Sequence, residues 1–173
     1  MVTIKFFQLV TSAIFCCLFN VCVYADNPVV FTQLTSLQNQ PALSPINLAS
    51  LEKVDGIENI GNALTHITIN KAGYYFIIAV GQAGVVKQGA SGNQYLDIWL
   101  IKNGVPIANS TNRITVSEFL TGTVVTQNIV GLHANDTVSV GFTASDPSFG
   151  LIATPAKGQE PAIASLVFSI YRL

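Results

Sequence analysis

Gly73-Tyr74-Tyr75-Phe76-Ile77-Ile78-Ala79-Val80, a glycine-rich connection, and then Tyr95-Leu96-Asp97-Ile98-Trp99-Leu100-Ile101-Lys102-Asn103-Gly104 form the stretch that decides the fold. Successive side chains of a strand point to opposite faces, so a strand with one face in water alternates apolar and polar residues. Tyr74 to Val80 and Tyr95 to Ile101 are apolar at odd and even positions, with Asp97 the one charge inside them. Two strands covered on both faces are therefore expected. Between them, Gly81, Gly84, Gly89 and Gly92 read as a long flexible connection reaching Asn93. The second run stops at Asn103-Gly104, a pair that accepts the positive φ of a two-residue hairpin turn. Val105 to Ser110 should return antiparallel to the Trp99 strand, with Pro106 at an edge or bulge.

Further strands follow on either side. Val29 to Thr35 is β-rich and bounded by Pro28 and by Gln38, Asn39 and Pro41. Gln38 to Asn47, carrying Pro41 and Pro45, reads as an irregular surface crossing. Leu48 to Lys53 fits a helical turn or a short edge strand, and Leu64 to Ile69 is rich in β-branched residues. Thr123 to Val130 is strand-like throughout, and Val138, Val140 and Phe142 alternate as an inward face. Ser145 to Pro161 reads as a long loop with Pro147, Gly150, Pro155 and Gly158. The chain closes with Ile163 to Arg172, where Leu166, Phe168 and Ile170 share one face. Eight or nine short strands, without a convincing helix or repeat, mean an antiparallel sandwich or barrel.

Residues 1–25 read as a targeting segment: Lys5 begins it, Phe6 to Val23 is mostly apolar, and Val23-Tyr24-Ala25 places small residues where a signal peptidase reads. Cleavage before Asp26 is expected, against the rival of an uncleaved anchor; Gln8, Thr11, Ser12 and Asn20 disfavour a span. No integral membrane segment would then remain. Cys16, Cys17 and Cys22 all lie in this segment, so the exported chain would have no disulfide and must rely on a full core. The remaining 148 residues (173 minus 25) suffice for one domain, residues 26–173. Losing Lys5 moves the net charge only from −1 to −2, which gives nucleic acid or an anionic membrane little reason to bind. Charged residues make up 10% of the chain, where about 25% is usual. Burial between subunits would account for so little polar surface.

Conventional catalytic and metal patterns do not emerge. His66 and His133 each stand alone, with no second His, Cys or carboxylate at ligand spacing on the same element, so no metal and no cofactor are expected. Gly89-Ala90-Ser91-Gly92-Asn93 fails as a nucleophile elbow at its last position. Gly84 to Gly89 begins like a phosphate loop but continues Ala90-Ser91 where lysine is required. Asp97 reads as a hydrogen-bonded structural carboxylate or an ion pair, with Arg113 or Lys102 as partner, in preference to a ligand-binding group. Asn109-Ser110-Thr111 and Asn135-Asp136-Thr137 match the glycosylation triplet, which matters only in a eukaryotic secretory pathway.

Taken in order, Gly73-Tyr74-Tyr75-Phe76, the segment Tyr95 to Gly104 followed by Asn109-Ser110, and Leu132-His133-Ala134-Asn135-Asp136-Thr137-Val138 resemble the jelly-roll head domain of the tumour necrosis factor and complement C1q families, including its microbial branches. Departures are Asn135 in place of the usual Gly, no Phe-x-Gly-Phe in the final strand, and no collagen-like stalk in this sequence. The resemblance implies an all-β, antiparallel jelly-roll β-sandwich that assembles as a homotrimer, but it names no receptor. Tyr75, Phe76, Trp99 and Tyr171 are the candidate core or trimer-interface aromatics. Gln82, Lys87, Gln88, Asn93, Asp146, Phe149 and Lys157 are the candidate recognition residues, on two loops. The expected role is a secreted, extracellular, periplasmic or cell-surface non-enzymatic trimer that binds a protein or carbohydrate; the alternative is a self-assembling subunit of a surface layer or coat.

Overall fold

The computed structural model describes residues 31–41, 49–53 and 66–173. The segment read as a targeting sequence, most of the Gln38 to Asn47 crossing and the start of the Leu64 strand lie outside the described residues. Twelve strands are described: β1 (Phe31–Ser36), β2 (Gln40–Pro41), β3 (Ala49–Lys53), β4 (Ile67–Thr68), β5 (Gly73–Val85), β6 (Asn93–Lys102), β7 (Val105–Pro106), β8 (Asn112–Ser117), β9 (Gly122–Leu132), β10 (Thr137–Ala144), β11 (Phe149–Leu151) and β12 (Leu166–Arg172). Every pairing is antiparallel.

They form a β-sandwich of two sheets. The larger has seven strands, with β9 on one side of β5 and β12, β1 and β3 following on the other; β11 and β2 extend it past the end of β12. The smaller has five, running β4, β10, β6, with β7 and β8 sharing the far side of β6. The two apolar runs belong to different sheets and meet across the core. From β5 come Tyr75, Ile77 and Ala79; from β6 come Leu96, Ile98 and Leu100, all buried. Phe168 and Ile170 of β12 and Val138, Val140 and Phe142 of β10 complete that layer. Burial of apolar area on this scale is the main force holding such a sandwich together.

Both runs nevertheless alternate in burial. Along β5 the even-numbered side chains from Tyr74 to Val80 face outward, as do Tyr95, Asp97, Trp99 and Ile101 along β6. Among the described residues, full coverage of both faces is thus not met.

Three local expectations are revised. The flexible connection shrinks to residues 86–92, because β5 continues through Val85. Gly81 and Gly84, now within β5, are places of close approach: a Cβ on Gly81 would lie 2.8 Å from Leu151, and one on Gly84 2.7 Å from Ile152. The return strand after the hairpin is only Val105–Pro106, since Asn109 turns the chain with φ of 59° and β8 takes over pairing with β6. The long loop contains β11 and, beyond it, an exposed arm in which Thr154 bridges Ile163 and Lys157 bridges Glu160. The β-strand alternative for the segment near Leu48 is the one formed, as β3.

One polar knot fixes the hairpin end. Asn103 and Gly104 take φ of 50° and 79°, and Asn135 takes 71°. Asp136 accepts hydrogen bonds from the His133 backbone N–H at 2.8 Å and from Asn103 Nδ2 at 2.7 Å, and it pairs with Lys102 Nζ at 2.9 Å. Asn103 Oδ1 in turn accepts from the Thr137 N–H at 2.7 Å. The His133 N–H, then Asn103 and Lys102, hold the Asp136 carboxyl well below the usual carboxylate range. A folded pKa below the unfolded value of about 3.9 gives a contribution that is complete above that pH and lost as pH falls toward the folded value. Asp136→Asn is expected to lower the thermal midpoint at pH 7 by about 3–6 °C. It should also flatten the loss of stability between pH 4 and lower pH, read by thermal melts in parallel buffers.

Candidate functional site

The outward face of the seven-stranded sheet is built from cross-strand rows. One row runs Tyr171, Phe76, Ile129; the next runs Ser169, Ile78, Gln127; the third runs Val167, Val80, Val125. The Phe76 and Tyr171 rings are tilted with centroids 5.0 Å apart. Tyr74 and Ile129 are 68% and 57% exposed, and Leu173, whose N–H reaches the Tyr74 carbonyl, is also exposed. Branched and aromatic side chains belong in strands for their packing, and among the described residues the second sheet packs only on the opposite, inward face.

The sequence candidates separate on this geometry. Tyr75 is core: burial pushes its phenol above the ordinary value, partly offset by Arg172, and its O–H donates to the Lys71 carbonyl at 2.6 Å. Phe76 and Tyr171 come together on the outward face of the large sheet. Trp99 lies on the outward face of the other sheet, so it cannot share a surface with them.

Among the recognition candidates, Lys87, Gln88, Asn93 and Lys157 are exposed. Asp146 is partly buried and caps its own turn by accepting the Ser148 N–H at 2.7 Å. Two assignments are corrected. Phe149 is wholly buried in β11, paired with Val85, because its ring fills the core under the loop. Gln82 lies within β5 opposite Thr123, so it belongs to a strand, not to a recognition loop.

Turns 86–92, 118–121 and 145–148 cluster at one end of the sandwich: Asn93 pairs with Ser117, the Val86 N–H reaches the Ser148 carbonyl, and the Ser145 N–H reaches the Tyr95 carbonyl. Sequence reasoning missed the apolar tip there, where Phe119 is 91% and Leu120 59% exposed. Its signal was available: two large apolar residues between Glu118 and Thr121, outside any alternating run. The arm leaves the same end of the large sheet and carries an open cavity of about 520 Å³ lined by Thr154, Pro155, Lys157, Glu160, Pro161 and Ile163.

On the small sheet, Asp97 is paired with Arg113 and not with Lys102, which goes to Asp136. Arg113 donates from Nε and Nη2 to the two Asp97 oxygens at 2.7 Å each, and its guanidinium lies 3.9 Å over the Tyr95 ring. The Asp97 hydrogen bond raises the Arg113 pKa further. Among the described residues, no group of three or more His, Cys, Asp or Glu side chains is close enough to hold a metal ion, and no helix is long and apolar enough to cross a membrane. No protein-family model matches the chain, and no curated protein matches it either.

Proposed function

We propose that this chain is a secreted, non-enzymatic head domain of the tumour necrosis factor and complement C1q type. Three copies pack through the outward face of the seven-stranded sheet and present the loop end to a protein or carbohydrate. The observation that carries the reading is the apolar face made by the Tyr171–Phe76–Ile129 and Val167–Val80–Val125 rows. Faces of this kind on a sheet are covered in a stable protein, and three-fold closure covers all three copies without leaving an open end. The strand orders β9-β5-β12-β1 and β8-β6-β10-β4 support a jelly-roll winding, with the long β5 and β9 giving the broad face.

A second reading, a structural subunit of a surface layer or coat, is favoured by one feature. Phe119 and Leu120 form an apolar tip away from the sheet face, and a second sticky surface lets an assembly continue where a closed ring would stop. Light scattering of the purified protein over a hundredfold concentration range separates the two. A constant mass of three chains supports the first reading. Growth into filaments or lattices, seen also by electron microscopy, supports the second, and a single-chain mass at all concentrations sinks both.

A further inference from the structure

We propose that the outward face of the five-stranded sheet is a binding platform for a neutral glycan chain, stacked on Trp99 and hydrogen-bonded by the Asp97–Arg113 pair. This deepens the ligand half of the reading above and is independent of its assembly half. Every residue involved belongs to one chain, on the sheet opposite the proposed subunit contact.

Trp99 stands opposite Gly141 of β10. A Cβ added at Gly141 would lie 2.5 Å from both Cε2 and Nε1 of the indole, so the ring rests on glycine backbone that any other residue would lift away. Over this glycine the side chain is half-buried on the outward face of the sheet. Two residues along β6, about 7 Å away, Asp97 sits in one row with Arg113 of β8 and Thr143 of β10. Arg113 is exposed, yet it is held from two directions by the Asp97 carboxylate and the Tyr95 ring. A flexible side chain fixed at a solvent face is preorganised for a contact beyond its own pair, since the surface ion pair itself adds little stability. Its Nη1 hydrogens take no part in the pair and remain as donors, and the Asp97 side chain, 14% exposed, has spare lone pairs beyond the two that Arg113 uses.

The chemistry selects a sugar. A pyranose ring has a C–H face that suits the negative face of an indole and a hydroxyl edge that both donates and accepts. Asp97 and Arg113 cancel each other's charge, which gives neither an anionic nor a cationic polymer an advantage. Small ligands favour concave sites, whereas this is an open strip. Trp99 to Tyr95 spans four residues of strand, about 13 Å, long enough for more than one sugar ring. An extended peptide would need free main-chain groups, but β6 is already paired on both sides by β8 and β10.

Trp99 is the single tryptophan of the chain, so indole emission reports on this platform alone. The full chain is titrated with neutral hexasaccharides of β-linked glucose, N-acetylglucosamine and mannose, with an acidic hexasaccharide of galacturonic acid, and with a proline-rich peptide. A saturable emission shift with at least one neutral sugar is expected, larger than with the acidic sugar or the peptide. By calorimetry with that sugar, Trp99→Ala should weaken binding about tenfold or more, and Arg113→Gln about fivefold, with circular dichroism and assembled mass unchanged. No shift with any neutral sugar, a shift with the acidic sugar or peptide alone, or undiminished binding to a folded Trp99→Ala chain overturns the proposal. A single-chain mass would overturn the assembly reading and leave this titration standing.

Discussion

Phe76→Asp and Tyr171→Asp are each expected to turn the proposed trimer into folded single chains, seen as a threefold drop in mass by light scattering at micromolar concentration. Both side chains lie on the outward face of the large sheet and are only half-buried in the isolated chain, so the core beneath them is untouched. In the assembly the same positions would be sealed from water. A carboxylate placed there loses its hydration without a compensating partner, at a cost of several kcal/mol per site. In a three-fold assembly that cost would be incurred in every copy. Far-UV circular dichroism and a cooperative melt distinguish dissociation from unfolding. If both variants keep the mass and stability of the parent, these side chains do not lie at the subunit contact.

The other large effect lies in the core. Phe168 of β12 is fully buried opposite Ala79, between the two sheets. Truncating a buried phenylalanine removes transfer free energy and leaves a cavity, together about 3–5 kcal/mol. Against a typical domain stability of about 5–15 kcal/mol, Phe168→Ala should leave a protein that melts far earlier or fails to fold at 37 °C. Urea denaturation gives the number directly. A loss under about 1 kcal/mol would mean that β12 does not supply the central layer.

Much of this architecture was legible because it rests on local rules. Val138, Val140 and Phe142, and Leu166, Phe168 and Ile170, alternate in the sequence and are buried in the structure. Asn103-Gly104 predicts its turn from the positive φ that both residues adopt. The differences share a cause: as local signals, glycine and proline mark turns and chain breaks. Gly81 and Gly84 are strand residues made necessary by Leu151 and Ile152 packing onto them, which is a long-range fact. Phe149 lies among Ser145, Asp146, Pro147, Ser148 and Gly150, a loop-like setting in sequence, although β11 forms through ladders with β5 and β2 that are distant in the chain. The candidate surfaces were less legible still. Tyr74 to Val80 and Tyr95 to Ile101 have similar composition, and only the sheet assignment separates a face suited to self-association from one bearing Trp99, Asp97 and Arg113.

Residue-level hydroxyl-radical oxidation of the native protein tests the assembly most directly. Tyr74 and Phe119 are both highly exposed in a single chain, at 68% and 91%, but Tyr74 lies on the large sheet and Phe119 at the loop tip. In the trimeric reading, Tyr74 and Ile129 should be strongly protected in the parent protein and become reactive in Phe76→Asp, while Phe119 reacts fully in both. Tyr74 reacting as readily as Phe119 in the parent protein would contradict it, because the face proposed to hold the subunits together would then be open to water.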